Sequence, residues 1–327
     1  MTTERIKTVS GKELLDMDLP PIHFIVQDFM AQGLNIVSGM SKIGKSWMLL
    51  LLCLKVARGE PFWNYETEKG TVLYLCLEDS FNRIQQRLLS FTDDAPPNLH
   101  FTIMVKSLSE GLGEQIELFI AEHPDTNLIV IDTLQKVRDA GGDNVYAADY
   151  KDVGLLKEIA DRHGISIACV HHVRKMTADD PHKMVSGSTG LTGAADCSYV
   201  LVRNDPNSPD AKFYIRGRDV EERVLTLHFN KETCIWEYVS GDTPAGDNMK
   251  NDPVISSVVR YLMEGNEFRG TASELIDTLH LPIKSNVLSK KLNRYETELK
   301  KIGVQFSKTR TGERREIILK YEPPMTI

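Results

Sequence analysis

Gly39-Met-Ser-Lys-Ile-Gly-Lys-Ser46 is the stretch that decides the fold of this chain. It fits the phosphate-binding loop pattern G-x-x-x-x-G-K-[ST] without a mismatch. The apolar run 34–38 before it is typical of a strand, and the run 47–57 after it, followed by a glycine at position 59, is typical of a helix that ends there. Strand, glycine loop and helix are the context that the motif requires. The sequence therefore predicts an α/β protein that binds a nucleotide.

The residue types in this phosphate loop, residues 39–46, predict how the phosphates are held. The two glycines let the backbone amides turn inward, and the following helix N-terminus adds its dipole. Lys45 would reach the β- and γ-phosphates, and the Ser46 hydroxyl would bind Mg²⁺. The predicted nucleotide-binding residues are Gly39, Met40, Ser41, Lys42, Ile43, Gly44, Lys45, Ser46 and Trp47.

The composition is that of a soluble globular protein. The chain has 327 residues, of which 41% are hydrophobic and 26% charged, enough for a large core and a smaller second domain. The apolar run 47–54 is too short to span a bilayer, and the N-terminus lacks the apolar region of a signal peptide. We therefore expect a cytoplasmic protein without membrane contact. None of the five cysteines forms a C-x-x-C pair, which favours small core residues in a reducing compartment.

Three regions follow from the pattern of elements: a core over residues 1–240, a polar linker over 241–252 and a domain over 253–327. Strands and helices alternate as far as position 172, and from position 197 strands follow one another without helices, at 199–203, 212–216, 224–229 and 234–238. This order predicts a mostly parallel sheet extended by antiparallel strands. Net charge is −7, yet residues 250–327 hold 14 Lys and Arg against 10 Asp and Glu, so charge and fold change at the same place.

The C-terminal region has the order of a winged helix-turn-helix. Helical patterns at 254–263, 272–279 and 285–302 precede two strand-like runs, 303–308 and 315–320, joined by residues 309–314. The third helix would read DNA, and the basic hairpin would form the wing. Winged helices also bind proteins, so a duplex DNA partner and a protein partner both stay open. The predicted DNA contacts are Lys290, Lys291, Arg294 and Arg314.

Two carboxylates complete the predicted nucleotide site. Asp132 ends the apolar strand 128–132, which is the Walker B pattern, and can hold Mg²⁺ through water. Glu78 ends the strand after the first helix, so it would lie at the same carboxyl edge as the phosphate loop, where it can polarise the attacking water. Asp79 competes for this role. We favour Glu78 because it directly follows Leu77.

A glutamate at the end of the second strand makes the chain resemble the RecA/DnaB-like division of P-loop ATPases, and most closely its RepA-type branch of hexameric replicative helicases. The resemblance covers about residues 10–240. Besides the phosphate loop and the Walker B strand, it rests on Phe62-Trp63, residues 72–79 with Arg83 and Arg87, residues 170–175 and the glycine-rich run 187–196. It implies a RecA-like core, ATP with Mg²⁺, single-stranded DNA as partner and a homohexamer.

Further residues are assigned only through this resemblance. His172, or else His171, occupies the place of the family's γ-phosphate sensor, although such a pair is also common in surface turns. The loop 173–188, with Arg174, Lys175 and Lys183, corresponds to the segment that grips single-stranded DNA in the central channel, although a solvated loop is the alternative. Arg218, with Arg216 as second choice, would reach the γ-phosphate of a neighbouring subunit. The alternative for either arginine is an internal pair with Asp219 or Glu221.

The sequence thus predicts a Mg²⁺-dependent ATPase that works as a ring-forming helicase or DNA motor in the replication of a plasmid, phage or integrative element. Two alternatives stay open. One is a RecA-like ATPase that binds DNA without unwinding it, in recombination or regulation. The other is a DNA-binding regulator whose ATP site only switches its oligomeric state.

Overall fold

The computed structural model describes residues 8–17, 19–138, 145–172, 180–184, 193–203, 205, 208–241, 249, 252–311 and 314–323. The chain divides into two compact units, Met1–Ser240 and Gly241–Ile327. Each unit has its own hydrophobic core.

The first unit contains eleven strands and six helices within the described residues. Its strands are β1 (Phe24–Val26), β2 (Met30–Ala31), β3 (Gly33–Gly39), β4 (Thr71–Cys76), β5 (Leu99–Thr102), β6 (Thr126–Asp132), β7 (Ser166–His172), β8 (Cys197–Val202), β9 (Asp210–Gly217), β10 (Arg223–Asn230) and β11 (Ile235–Ser240). Its helices are α1 (Gly11–Asp16), α2 (Lys45–Arg58), α3 (Phe81–Leu89), α4 (Leu112–Glu122), α5 (Leu134–Val137) and α6 (Val145–His163), with a 3₁₀ turn at Pro181–Met184.

Nine of these strands form one sheet in the order β11-β10-β9-β8-β3-β7-β6-β4-β5. The strands from β8 to β5 run parallel, and β9, β10 and β11 continue the sheet in antiparallel fashion. This arrangement confirms the predicted parallel sheet with an antiparallel extension. Strand β3 lies at its centre, between β7 and β8, so the residue that ends β3 lies among the ends of its neighbours.

The central strands are apolar on both faces because helices cover both. Along β6, Leu128 and Val130 face the core layer that contains α2, whereas Ile129 and Ile131 face the layer that contains α4 and α6. This explains why the strands read as continuous apolar runs. Helix α2 ends as predicted, with Gly59 in the left-handed conformation (φ 70°).

Several predicted bounds in the first unit are wrong. The sequence predicts a strand over residues 101–105, whereas β5 begins at Leu99 and ends at Thr102. The short pair β1–β2, which forms a separate two-stranded sheet, was not predicted because two or three residues carry too little alternation. Four cysteines are buried as expected, whereas Cys234, in the β10–β11 turn, is half-exposed.

The second unit contains helices α7 (Pro253–Met263), α8 (Ala272–Leu279), α9 (Ser285–Arg294) and α10 (Glu296–Lys301), with strands β12 (Phe268–Gly270), β13 (Val304–Thr311) and β14 (Arg314–Tyr321). The single helix expected over 285–302 is wrong: it breaks at Tyr295 (φ −100°, ψ 14°), whose ring is buried in the core of this unit. Strand β12 was not predicted, and it pairs with β14. The hairpin strands pair as far as Thr311 and Arg314, so the connection is shorter than expected.

Of the described helices, not one combines the length and the apolar character needed to cross a membrane.

Candidate nucleotide-binding and catalytic site

The phosphate loop leaves the centre of the sheet at Gly39 and enters α2 at Lys45. Two of its glycines are required by geometry. Gly44 has φ 103°, and a Cβ there would lie 2.7 Å from Trp236 Nε1. A Cβ on Gly39 would lie 2.9 Å from the backbone oxygen of Leu201. The close packing of strand ends and loop therefore accounts for both glycines of the motif.

Lys45 is buried beneath this loop, and the residue is 4% exposed. Its Nζ donates to the carbonyl oxygens of Gly39 (2.8 Å) and Met40 (2.9 Å) and lies 3.4 Å from His172 Nδ1. Burial lowers the pKa of Lys45 to about 8, against the opposing influence of the Asp132 and Glu78 carboxylates. A buried cation, shielded from water, interacts strongly with an anionic group such as a polyphosphate.

Asp132 ends β6 beside the first turn of α2. The Tyr74 hydroxyl donates to its Oδ2 (2.9 Å), and Ser46 is hydrogen-bonded to the same carboxylate. Burial raises the pKa of Asp132, while the bonds from Ser46 and Tyr74 and the charge of Lys45 act in the other direction. A serine hydroxyl beside a carboxylate offers the hard oxygen ligands that Mg²⁺ takes, and its remaining ligands come from phosphates and water. These residues fit a magnesium-bound nucleotide.

The adjacent carboxylates Glu78 and Asp79 differ in their partners. Asp79 forms ion pairs with Arg83 (2.8 Å) and Arg87 (2.5 Å) of α3, and its side chain is 13% exposed. Glu78 instead accepts a hydrogen bond from Thr133 Oγ1 (3.2 Å), the residue that follows the Walker B aspartate. Its charge acts on Lys45. The carboxylate that faces the phosphate loop is therefore that of Glu78.

The two histidines at the end of β7 lie on opposite faces of the sheet, because successive strand residues alternate. His172 is paired in register with Gly39 and is the histidine next to Lys45. Burial, followed by the nearby charge of Lys45, lowers the pKa of His172. His172 is therefore the histidine that lies beside the phosphate-loop lysine, and its role as a sensor stays a prediction.

Residues that the sequence reasoning missed surround the same edge of the sheet. Arg203 follows β8 directly, and its guanidinium carbon lies 5.2 Å from the ring centre of Trp236, which also packs against Phe229 (5.1 Å). Arg203 Nε and Trp236 Nε1 are buried and make no hydrogen bond within the described part of the chain. The place of Arg203 directly after an apolar strand could have indicated from the sequence that it lies at this edge. Tyr74 and Thr133 had no comparable signal, since their roles depend on contacts across strands.

The two candidate arginines lie far from the phosphate loop of their own chain. The Arg218 amide donates to the Asp196 carbonyl (2.8 Å), and the Asp196 amide donates to Leu34 at the start of β3. From Leu34 to Gly39 the strand rises about 16 Å at roughly 3.3 Å per residue. Arg218 therefore lies at the amino edge of the sheet and the phosphate loop at the carboxyl edge.

Each of these arginines forms internal ion pairs. Arg218 NH1 lies 3.2 Å from Asp196, whereas Arg216 binds Glu222 (2.6 Å) and Asp180 (3.1 Å). The side chain of Arg216 is 45% exposed and that of Arg218 is 59% exposed. Arg218 is the less restrained of the two.

The predicted DNA-contacting residues are only partly described. Arg174 and Lys175 lie outside the described residues, and so do the side chains of Lys183 and Arg314. On α9, Lys290 is exposed, Lys291 is ion-paired with Asp252, and Arg294 lies 5.5 Å from the ring centre of Tyr295. Lys290 is thus the predicted α9 contact that points most openly to solvent.

Known proteins share sequence patterns and a fold with this chain. A family model described as an AAA domain, AAA_25, matches residues 2–178. A second, the AICE RepA C-terminal domain, matches residues 254–324. An ATPase domain solved on its own is similar in structure with a TM-score of 0.52 and 12% identity, over 64% of this chain and 85% of that one. A DnaB-like replicative helicase, solved in a study of its interactions with primase, is similar with a TM-score of 0.55 and 13% identity. The similarity covers 72% of this chain and 68% of that one. No curated protein matches. The likeness in structure confirms the predicted RecA-like core.

Proposed function

This chain belongs to the AAA_25 family of AAA domains, and from that premise we propose that it is an ATP-hydrolysing, DNA-dependent ring motor. Its place would be in the cytoplasm, as a helicase in the replication of a plasmid, phage or integrative element. The RepA-type C-terminal match and the helicase-like fold support a role in replication. ATP hydrolysis, ring assembly and DNA binding by this chain are proposed in addition to that role.

When bound, a magnesium ion would supply positive charge that stabilises the charge developing on the transferred phosphoryl group. The amides of the phosphate loop and the Lys45 ammonium would hold the phosphates, and Ser46 and Asp132 would hold the ion. Arg203, after β8, and Phe229, near the end of β10, would flank the rest of the nucleotide. His172, beside Lys45, would sense the γ-phosphate.

The observation that carries this proposal is the difference between Glu78 and Asp79. Glu78 is held by Thr133 towards Lys45, whereas Asp79 is occupied by two arginines. We assign to Glu78 the acceptance of a proton from the attacking water, which a positioned carboxylate can speed by about 10²–10⁴. Thr133 fixes the direction of the Glu78 carboxylate, so it acts as a positioning residue.

Ring formation is supported by the position of Arg218 at the amino edge of the sheet. A cation there cannot reach the phosphates bound by its own chain, but it can serve the site of a neighbouring copy. Coupling of hydrolysis to assembly then follows, and a homohexamer is the proposed state. Arg216, with two carboxylate partners, is the second candidate.

DNA binding is proposed for two regions. Arg174, Lys175 and Lys183 would contact single-stranded DNA, and the C-terminal unit would bind duplex DNA as a winged helix through Lys290 and its neighbours Lys291, Arg294 and Arg314. Of the α9 residues, Lys291 must first leave Asp252. We therefore expect Lys290 to contribute more than Lys291.

The test measures ATP hydrolysis with and without single-stranded DNA, and unwinding of forked DNA, for the wild type, Glu78→Gln and Asp79→Asn. We expect DNA to stimulate turnover, Glu78→Gln to lower it about a hundredfold and Asp79→Asn to keep it. Full activity of Glu78→Gln would contradict the assigned base. Turnover that ignores single-stranded DNA, together with tight sequence-specific duplex binding, would favour the ATP-switched regulator.

A further inference from the structure

Asp196 joins three elements at the amino edge of the sheet. Its Oδ2 accepts a hydrogen bond from the Leu34 amide (2.9 Å). Lys157 of α6 donates to both carboxylate oxygens (2.7 and 2.6 Å), and Arg218 NH1 donates to Oδ1 (3.2 Å). The Asp196 side chain is 12% exposed. One nearly buried carboxylate is therefore shared by two cations and a backbone amide.

The two cations are held with different strength. Lys157 has short contacts to both oxygens, and its side chain is 25% exposed. Arg218 has one longer contact, and its side chain is 59% exposed. Exposed ion pairs contribute little to the stability of a folded protein, whereas a buried carboxylate left without a cation lowers that stability strongly. Because Lys157 also binds Asp196, Arg218 can move away and Asp196 still has a cationic partner.

We propose that Lys157 is a positioning residue that keeps Arg218 available to a neighbouring subunit. Arg218 directs NH1 to Asp196 and NH2 to the Gly193 carbonyl (3.5 Å), both in its own chain. To bind a phosphate oxygen of another copy, its guanidinium must turn away from both. Lys157 satisfies Asp196 during that movement. Without Lys157, Asp196 would hold Arg218 as its only cation.

This inference rests on the proposed action of Arg218 between subunits, so the experiment tests the two separately. The experiment compares full-length variants in ATP hydrolysis stimulated by single-stranded DNA. The variants are Arg218→Ala, Lys157→Met, Asp196→Asn and the double variant Lys157→Met/Asp196→Asn. Lys212→Met, which removes an exposed lysine of β9 bonded to Thr226, is the matched control. An unfolding curve for each variant shows that it folds.

We expect Arg218→Ala to lower kcat at least a hundredfold. Lys157→Met should lower kcat about tenfold, equivalent to about 1.4 kcal/mol in the barrier, with KM for ATP unchanged. Asp196→Asn should leave kcat within about twofold, because its amide oxygen can still accept from the Leu34 amide and no longer holds Arg218 electrostatically. The double variant should recover the activity of Asp196→Asn.

The outcomes are distinct. If Lys157→Met has wild-type kcat, the inference is wrong. If the double variant is as slow as Lys157→Met, Lys157 supports the fold and does not release Arg218, which also overturns it. If Arg218→Ala retains full activity, the proposed action between subunits fails at its base, whatever Lys157 does.

Discussion

Replacing Lys45 with Met separates the role of this lysine in nucleotide binding from the cost of burying it. Burial lowers its pKa from 10.5 to about 8. At about 1.4 kcal/mol per pH unit, the folded chain disfavours the charged form by about 3 kcal/mol. Loss of the hydrogen bonds to the Gly39 and Met40 carbonyls offsets part of this gain. We expect Lys45→Met to raise the free energy of unfolding by about 2 kcal/mol at pH 7 and to abolish ATP hydrolysis.

The pH dependence of this gain has a definite sign. Below pH 8, Lys45 is protonated in the folded and the unfolded chain, so the full difference applies at pH 7. Between about pH 8 and 10.5 the unfolded chain binds more protons at this position, and the stability of the wild type rises with pH. The variant lacks this contribution. Its advantage should therefore shrink between pH 7 and pH 9.5.

The assay is urea unfolding followed by tryptophan fluorescence. All three tryptophans, Trp47, Trp63 and Trp236, lie in the unit Met1–Ser240, so the signal follows the unit that contains Lys45. The control is Lys212→Met, which removes an exposed lysine of β9 and should change stability by less than about 0.5 kcal/mol. A Lys45→Met protein no more stable than the wild type at pH 7, or an advantage equal at both pH values, would refute the reasoning.

Three other substitutions test the site and its support. Gly44→Ala should abolish binding of a fluorescent ATP analogue, because its methyl group would lie 2.7 Å from Trp236 Nε1 at φ 103°; affinity within about twofold of the wild type would contradict this. Tyr74→Phe removes the donor to Asp132 Oδ2 and so raises the pKa of Asp132 further, which should move the acid limb of the pH–rate profile upward; an overlaid profile would speak against it. Gly59→Ala, at φ 70°, should cost about 1 kcal/mol in urea unfolding without changing KM, and an unchanged midpoint would be the contrary result.

Local patterns in the sequence were sufficient for most of the first unit. The phosphate loop, the continuous apolar strands and the helix end at Gly59 follow from interactions within a few residues. Gly59 has the positive φ expected of a helix end. The predicted family resemblance is confirmed by the matches to the AAA_25 and RepA C-terminal models, and the motifs that carry it are likewise short and contiguous.

Contacts between distant parts of the chain were beyond the reach of these patterns. The break at Tyr295 lies within a run of good helix formers, and it occurs where the ring enters the core of the second unit. Asp79 and Glu78 have the same charge and adjacent positions, and the sequence favoured Glu78 only because it follows Leu77. Their contacts with Arg87 and Thr133 show which partner each carboxylate has.

The partners of the two arginines show the same limit. Asp219 and Glu221 are near Arg218 in sequence, but the structure pairs Arg218 with Asp196 and Arg216 with Asp180 and Glu222. Strand register decides this, because it sets Ser198 opposite Arg216 and Cys197 opposite Gly217. The sequence by itself thus determined which residues could bind a nucleotide, since backbone conformation depends on near neighbours. The tertiary structure alone decided which charges meet, since that depends on how strands from different parts of the chain align.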